Sequence, residues 1–218
     1  MSPQTDIERI ESSGVVAILR GIGPDAAIDV AEALQAGGIS AIELTADSPG
    51  VLEAIETVAD AFSRSELIVG VGTVLDAQTA RSAMLAGAEF VVSPCVREDV
   101  VDICNRHGVV VAPGALTPTE AITAYETGAD LVKLFPAGTV GPEHVRALSG
   151  PLGQLSLMPT GGVDLDNVGA FIEAGANCVG VGSALIDDAA VERGDFASLT
   201  RNARAFGDAI DAARGRHS

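Results

Sequence analysis

The residue best suited to covalent chemistry is Lys133, the only lysine in a chain of 218 residues. It lies in the apolar run LVKLF at 131–135, where burial lowers the pKa of an amine and makes the free nucleophile available at neutral pH. A solvated surface position is the usual alternative. That alternative is weak here because the other twelve Lys and Arg positions are all arginine, which cannot lose a proton and attack a carbonyl. The pattern predicts an imine-forming lysine.

A carboxylate interrupts a second apolar run. Glu43 lies in SAIEL at 40–44, where a charged side chain must be paired or functional. We expect it to move protons for a substrate attached to Lys133, and a structural ion pair with Arg20 is a compatible alternative. Arg20 ends the first apolar run, in AILRG. It is a candidate to hold a substrate carboxylate or phosphate, with a surface ion pair as its alternative.

Two glycine-rich segments are candidates for binding an anion. They are PTGG at 159–162 and VGVGSAL at 179–185. Glycine lets the backbone approach an anion closely, and free backbone N–H groups at such turns bind phosphate. Tight turns alone explain each single glycine, but the two segments together favour a phosphate site. Its candidate residues are Gly161, Gly162, Gly182 and Ser183.

The elements that must position these residues repeat along the chain. Short apolar runs rich in β-branched residues are typical of strands buried on both faces of a parallel sheet. Helical patterns separate them, one opening at Asp164 in DLDNVGAFIEAGA, and the joints AGGISAIEL, AGAEFVV, TGADLVK and AGANCVG place glycine just past each helix. Eight such units predict a (β/α)8 barrel. A doubly wound open sheet is the alternative, but no G-x-G-x-x-G opens a first helix. The eight runs lie at 15–19, 40–44, 67–74, 90–92, 109–112, 131–135, 155–158 and 178–182.

The organisation of the chain follows from this repeat. No linker or shift in composition divides it, so we expect one domain over 1–218. Residues 1–14 form a leading helix, 15–186 the barrel core, and 187–218 a closing helix with a frayed basic tail that contains His217. In such barrels the active site lies at the carboxyl ends of the strands. The further substrate-binding candidates at those ends are Thr73, Pro94, Phe135 and Thr160.

The composition excludes several classes of function. Thirty acidic residues against thirteen basic ones give a formal net charge of −17, which repels nucleic acid and anionic lipid. The amino-terminal residues are polar and acidic and no long apolar run occurs, so we expect a soluble, cytosolic protein. The cysteines have no C-x-x-C spacing and predict no disulfide framework or zinc site. We expect Cys95, Cys104 and Cys178 to be buried packing residues, and we expect no metal or other cofactor.

The acidic surface itself suggests a halophilic source. Strong acidity, few aromatic residues and a single lysine are consistent with a surface adapted to salt. High net charge keeps a protein soluble, and dense salt screens the repulsion between like charges. This is a hypothesis about the environment of the protein rather than about its reaction.

The order of the segments VVAILRG, AIELT, VGVGTVLDAQTA, FVVSP, APGALTPTEA, LVKLFPAG and MPTGGV resembles the 2-keto-3-deoxy-6-phosphogluconate (KDPG) aldolase family over about residues 14 to 186. The resemblance implies a class I aldolase on a (β/α)8 barrel, typically a homotrimer without metal. Lys133 in K-L-F-P-A matches its Schiff-base lysine, and Glu43 in E-L-T matches its proton-shuttling glutamate. The matching substrate positions are Thr73, Pro94 and Thr160, and the residues implied to help hold phosphate are Gly161, Gly162 and Ser183.

One departure from the family pattern affects the expected substrate. Asp47 in ELTADSPG stands where the bacterial pattern E-V-T-L-R-T has an arginine that contacts the substrate carboxylate. Arg20 is a candidate to take over part of that binding, because relatives that cleave the galactonate epimer share A-I-L-R-G. The threonine of P-T-G-G and the F-P-A after the lysine favour the gluconate form.

The expected reaction is cleavage of 2-keto-3-deoxy-6-phosphogluconate to pyruvate and glyceraldehyde 3-phosphate, in an Entner–Doudoroff-type pathway. The alternatives within the family are the 6-phosphogalactonate epimer and 4-hydroxy-2-oxoglutarate. Two alternatives of other classes are a phosphate-binding isomerase or synthase barrel and a barrel that binds metabolites without catalysis. Neither explains a lone lysine at the end of the sixth predicted strand.

Overall fold

The computed structural model describes residues 3–215, so that His217 and the end of the expected tail lie outside the described residues. The strands are β1 (Val15–Leu19), β2 (Ala41–Thr45), β3 (Ile68–Gly72), β4 (Phe90–Val92), β5 (Val110–Ala112), β6 (Gly114–Ala115), β7 (Val132–Leu134), β8 (Leu157–Pro159) and β9 (Val179–Val181). The helices are α1 (Pro3–Ser13), α2 (Pro24–Ala36), α3 (Val51–Ala61), α4 (Ala77–Leu85), α5 (Glu98–His107), α6 (Pro118–Glu126), α7 (Ala137–Ser149), α8 (Val168–Glu173), α9 (Asp188–Glu192) and α10 (Phe196–Ala213).

The strands pair in parallel around a barrel. One sheet has the order β5-β4-β3-β2-β1-β9 and a second the order β6-β7-β8. The fifth predicted strand, 109–112, corresponds to β5, and a short further strand, β6, follows it after Pro113. Pro113 has no N–H to donate to a ladder, although its carbonyl accepts from Lys133 N at 3.0 Å. A bridge between Thr160 and Gly180 joins β8 to β9 and completes the circle. The expectation of a (β/α)8-type barrel is confirmed.

Successive residues of each strand face opposite sides, which creates two apolar cores. Along β1, Val15, Ala17 and Leu19 pack against the helices, whereas Val16 faces the barrel interior. The interior core also contains Ile10 of α1, which packs on the first residues of the strands. Through this contact α1 closes the end of the barrel opposite the carboxyl ends of the strands. Burial of such an isoleucine contributes about 1.5–3 kcal/mol to stability. The other interior residues are Ala41, Ile68, Phe90, Val92, Val110, Ala112, Leu131, Met158 and Cys178.

A buried carboxylate ties α1 to the barrel. Asp6 is fully buried and accepts a hydrogen bond from Arg64 Nε at 3.2 Å and another from Arg64 Nη2. Arg64 also contacts Glu89 at 3.1 Å. Arg9 of the same helix donates to the carbonyl of Ser65 at 3.0 Å. These bonds fix the leading helix to the segment between α3 and β3.

Two boundaries differ from the sequence expectations. The helix expected to open at Asp164 begins at Val168, because the Asp164 carboxylate accepts the backbone N–H groups of the next residues and forms a turn instead. The single closing helix expected over 187–218 is two helices, α9 and α10, separated at Gly194, where φ is +69°. No helix among residues 3–215 is long and apolar enough to cross a membrane.

Candidate active site

A cavity of ≈ 480 Å³ opens at the carboxyl ends of the strands. Every residue predicted for the site lines it: Arg20, Glu43, Thr73, Pro94, Lys133, Phe135, Thr160, Gly161, Gly162, Gly182 and Ser183. The structure therefore brings together residues from both sheets. Its lining also includes residues that sequence reasoning missed, namely Ile18, Val163, Asp164, Gly180 and Ala184.

Strand alternation turns Lys133 into this cavity. Leu131 belongs to the interior core, and the side chains two and four residues later share its face, whereas Val132 and Leu134 pack against the helices. Lys133 is only 5% exposed, and its Nζ lies 5.0 Å from the centroid of the Phe135 ring. The amine is thus mostly buried and lies beside an aromatic face.

The electrostatic surroundings favour the free amine of Lys133. Burial lowers its pKa, the charge of Glu43 opposes that effect, and the charge of Arg20 adds to it, so that the pKa lies below its usual value. A neutral amine is the form that attacks a carbonyl carbon. The structure thus places Lys133 in the buried position that the sequence pattern predicts.

Glu43 faces the same cavity from β2. It is paired in register with Ile18 of β1 and Gly70 of β3 and is 1% exposed. Burial raises the pKa of its carboxyl, against the opposing charges of Lys133 and Arg20. Its Oε2 has no hydrogen-bond partner among the described residues. A buried oxygen of this kind is available to accept a proton from a substrate.

A glycine that sequence reasoning missed makes room for this carboxylate. Gly72 lies at the end of β3, and a β-carbon built there would overlap Glu43 Oε1 and lie 2.6 Å from Glu43 Cγ. Below it, a β-carbon at Gly70 would overlap the Phe90 ring. Glycine inside a buried strand often marks such a close approach, which is the sequence signal that was available.

The guanidinium of Arg20 lies at the edge of the cavity. Its Nη1 binds the Asp47 carboxylate, and its Nη2 donates to Thr73 Oγ1 at 3.2 Å. No ion pair joins it to Glu43 within the described part of the chain, so that alternative is not observed. Among residues 3–215, Thr73 alone combines a side chain with a positive φ, +60°. Such strain in a β-branched residue is typical of functional sites.

The carboxylate of Asp47 stays ionised in this arrangement. Burial alone would raise its pKa, but a hydrogen bond with Thr45, the charge of Arg20 and further hydrogen bonds outweigh burial and lower the pKa. The pair therefore joins two full charges at neutral pH. This partner of Arg20 follows from the structure and was not predicted.

The glycine-rich loop after β8 has the geometry of an anion site. Gly161 and Gly162 have φ values of +82° and +85°, and a β-carbon at Gly162 would lie 2.8 Å from Gly138 Cα. Asn167 Nδ2 donates to the Gly162 carbonyl at 2.9 Å, which fixes the loop. Within residues 3–215, the backbone N–H groups of Gly162 and Ser183 donate to no acceptor. Free N–H groups converging from two loops form a concavity suited to phosphate.

Comparison with known proteins decides the family. The family model for KDPG and KHG aldolases matches residues 7–202. The chain belongs to this family. It is 37% identical to a 2-dehydro-3-deoxy-phosphogluconate aldolase from Pseudomonas aeruginosa, over 81% of this chain and 80% of the relative. It is 36% identical to a 2-dehydro-3-deoxy-6-phosphogalactonate aldolase from Escherichia coli, over 78% and 83%.

A solved structure extends the likeness to the reaction type. The KDPG aldolase from Legionella pneumophila, with pyruvate captured as a covalent carbinolamine, has a TM-score of 0.85 and 26% identity over 94% of this chain and 98% of that one. The expectations of a class I Schiff-base aldolase and of a carbon–carbon lyase are confirmed at the level of the family.

The remaining candidates of this aldolase occupy the walls of the cavity. Thr160 is buried, and its hydroxyl donates to the Met158 carbonyl at 3.2 Å. A β-carbon at Gly180 would overlap Thr160 Oγ1, so Gly180 leaves the hydroxyl its space. Pro94 lines the same cavity. The next residue, Cys95, is exposed, so the expectation that it is a buried filler is wrong, because it lies on a loop rather than a strand.

Proposed function

We propose that this aldolase cleaves 2-keto-3-deoxy-6-phosphogluconate to pyruvate and glyceraldehyde 3-phosphate through an imine on Lys133. The observation that carries the proposal is a single cavity that holds a buried amine of lowered pKa and a buried carboxylate of raised pKa. These two groups meet the needs of imine formation and proton transfer, respectively. The curated relatives named above support a phosphorylated keto-deoxy sugar acid as the substrate class.

The first stage builds the electron sink. The Lys133 amine attacks the C2 ketone and forms a carbinolamine, and Glu43 relays protons so that the carbinolamine oxygen leaves as water. The product is an iminium ion between Lys133 Nζ and C2. C3 separates the iminium carbon C2 from C4. The iminium therefore accepts the electron pair of the C3–C4 bond when that bond breaks.

The second stage breaks the carbon–carbon bond. Glu43 takes the proton of the C4 hydroxyl, a C4=O bond forms, and the C3–C4 electron pair moves into an enamine. Glyceraldehyde 3-phosphate leaves. The enamine is then protonated at C3, water adds to the iminium, and pyruvate departs while the Lys133 amine is regenerated. Protons and electrons balance without a metal or cofactor.

The two anionic ends of the substrate fit two parts of the cavity. We propose that the loops containing Gly161, Gly162, Gly182 and Ser183 hold the phosphate, supported by their free N–H groups. Arg20 and Thr73 hold the carboxylate near Lys133, and Phe135, Pro94 and Thr160 shape the walls. Holding both ends fixes C4 beside Glu43, where positioning contributes an effective-molarity gain. The 6-phosphogalactonate epimer and 4-hydroxy-2-oxoglutarate are the alternative substrates.

Reductive trapping tests the imine directly. We expect borohydride with pyruvate to inactivate the enzyme and to add one reduced pyruvate. The chain has no other lysine, so the adduct can lie only on Lys133 or on the amino-terminal amine. Digestion and mass spectrometry distinguish these two positions. Lys133→Arg keeps a long basic side chain but cannot form the imine, so it should show neither trapping nor cleavage. An unmodified Lys133 would refute the proposal and favour a barrel of another class.

Substrate choice is a separate measurement. Thr160 favours the gluconate substrate, whereas Arg20 is shared with relatives that cleave the galactonate epimer. Pyruvate release from the two substrates, measured side by side, tests which one the enzyme prefers. We expect faster release from the gluconate substrate. We also propose that the enzyme is a homotrimer, as its family resemblance implies, and that it is cytosolic, as its composition suggests.

A further inference from the structure

Arg20 is placed to bind an anion and is already engaged by another group. Among residues 3–215, Arg20 and Lys133 are the two cationic side chains that line the main cavity. Arg20 also lines an adjoining cavity of ≈ 210 Å³, which shares Gly182 and Ser183 with the first. Its guanidinium nevertheless binds Asp47 on one side and Thr73 on the other. Any substrate anion that approaches Arg20 therefore meets an existing ion pair.

This ion pair is of the kind that exchanges partners readily. The Arg20 and Asp47 side chains are 59% and 50% exposed. Exposed pairs contribute only about 0.2–1 kcal/mol and are screened by salt. Asp47 does not line the main cavity, whereas Arg20 does. The arginine can therefore turn its charge toward a ligand at little cost, while the carboxylate remains outside.

The position of Arg20 identifies which substrate group it meets. Arg20 lines the same cavity as Lys133 and donates to Thr73 Oγ1 at 3.2 Å, and its charge also lowers the pKa of Lys133, so the guanidinium lies on the side of the reacting amine. The carbon that bonds to Lys133 is C2, and the carboxylate of a 2-keto acid is attached directly to C2. The carboxylate is thus the anionic group that the imine brings toward this end of the cavity.

We propose that Asp47 determines substrate affinity by competing with the substrate carboxylate for Arg20. Asp47 acts through Arg20 and touches no reacting atom. The inference rests on the proposed function, because it needs a 2-keto acid bound at Lys133. A bond to the carboxylate is made in the substrate complex and in the transition state alike, so the competition is expected in KM rather than in kcat.

The test removes the charge of Asp47 and keeps its shape. With Asp47→Asn we expect KM for the phosphorylated substrate to fall about two- to fivefold. That is the change in a binding constant that corresponds to the free energy of an exposed ion pair. The pyruvate concentration that gives half-maximal reductive trapping should fall by the same factor, because pyruvate carries the carboxylate and no phosphate. Added salt should shrink both differences, and Asp47→Glu, which restores the charge, should stay close to wild type.

Asp102 provides the matched control. It forms an exposed ion pair with Arg106 on α5 and does not line the cavity. Asp102→Asn changes the net charge by the same amount as Asp47→Asn. We expect wild-type constants from that variant. An equal effect of both variants would refute the inference, as would an unchanged or higher KM with Asp47→Asn, or an effect confined to the phosphorylated substrate. A wild-type enzyme that neither cleaves nor traps would instead refute the proposed function.

Discussion

Gly72 offers a way to displace Glu43 without touching it. The backbone of Gly72 is not in the left-handed region, so alanine meets no conformational strain there. Its methyl group would overlap Glu43 Oε1 and lie 2.6 Å from Cγ, whereas real β-carbon contacts are not shorter than 3.0 Å. The three heavy atoms nearest to that β-carbon all belong to the Glu43 side chain, so Gly72→Ala is expected to fit by pushing the carboxylate aside.

The displacement sets the size of the expected effect. The carboxylate must move on the order of 1 Å or more, and a misplacement of about 1 Å costs about 100-fold in rate. We therefore expect kcat for aldol cleavage by Gly72→Ala to fall about 100-fold. Overpacking in the barrel should cost about 1–3 kcal/mol of unfolding free energy, so the variant remains folded enough to assay, which urea unfolding checks.

Non-additivity distinguishes displacement of Glu43 from general damage. In a Glu43→Ala background the methyl at Gly72 finds space, so adding Gly72→Ala should change the residual cleavage rate by less than about threefold. Gly207→Ala is the control for added methyl groups, because nothing lies within 4 Å of its β-carbon. That variant should keep full activity. Independent, multiplicative losses from Gly72→Ala and Glu43→Ala would refute the steric argument, as would a Gly72→Ala enzyme with more than a tenth of wild-type kcat.

Two further predictions concern pH and stability. Imine formation needs the free amine, so trapping by pyruvate should weaken as pH falls through the pKa of Lys133, which lies below its usual value. Glu43→Gln removes a charge that raises this pKa, so the pH at which trapping is half-maximal should fall. Arg20→Gln removes a charge that lowers the pKa, so that pH should rise. The pH profile of cyanoborohydride inactivation measures these shifts. Profiles of Glu43→Gln and Arg20→Gln that shift in the same direction, or that do not shift, would contradict the prediction. Asp6→Ala should lower the free energy of unfolding by about 1.5–3 kcal/mol, because Arg64 loses two charge-assisted hydrogen bonds. Urea unfolding of Asp6→Ala with an unchanged midpoint would show that the buried pair is not stabilising.

The place of Lys133 and Glu43 in the cavity could be predicted because it depends on simple periodicities. A lysine in an apolar run must lie in a strand, and the strand period of two places 131, 133 and 135 on one face. The rule that barrel sites lie at the carboxyl ends of strands then selects that end of each run. No pairwise contact had to be known, so Lys133 and Glu43 were accessible from the sequence.

The residues that were missed matter either because they leave room for another side chain or because they make a contact between loops. Gly72 and Gly180 matter because they lack a side chain, and a missing atom leaves only a weak pattern in the sequence. The pairing of Asp47 with Arg20 depends on the register of β1 with β2, in which Leu19 lies beside Leu44. The exposure of Cys95 depends on the path of a loop. Single-domain organisation, a halophilic source and a homotrimer stay predictions.

Arg20 opposes a conflict that burial creates for Lys133 and Glu43, the proposed catalytic pair. Burial disfavours both charges and so favours a neutral amine with a neutral carboxylic acid, whereas the attraction between Lys133 and Glu43 favours both charged forms. Neither combination is reactive, because the first step needs a free amine and proton removal needs a carboxylate. The charge of Arg20 lowers both pKa values and therefore favours the mixed state, a neutral Lys133 beside an ionised Glu43. The same arginine is therefore placed both to favour the reactive protonation states and, in the competition proposed above, to bind the substrate carboxylate that Asp47 opposes.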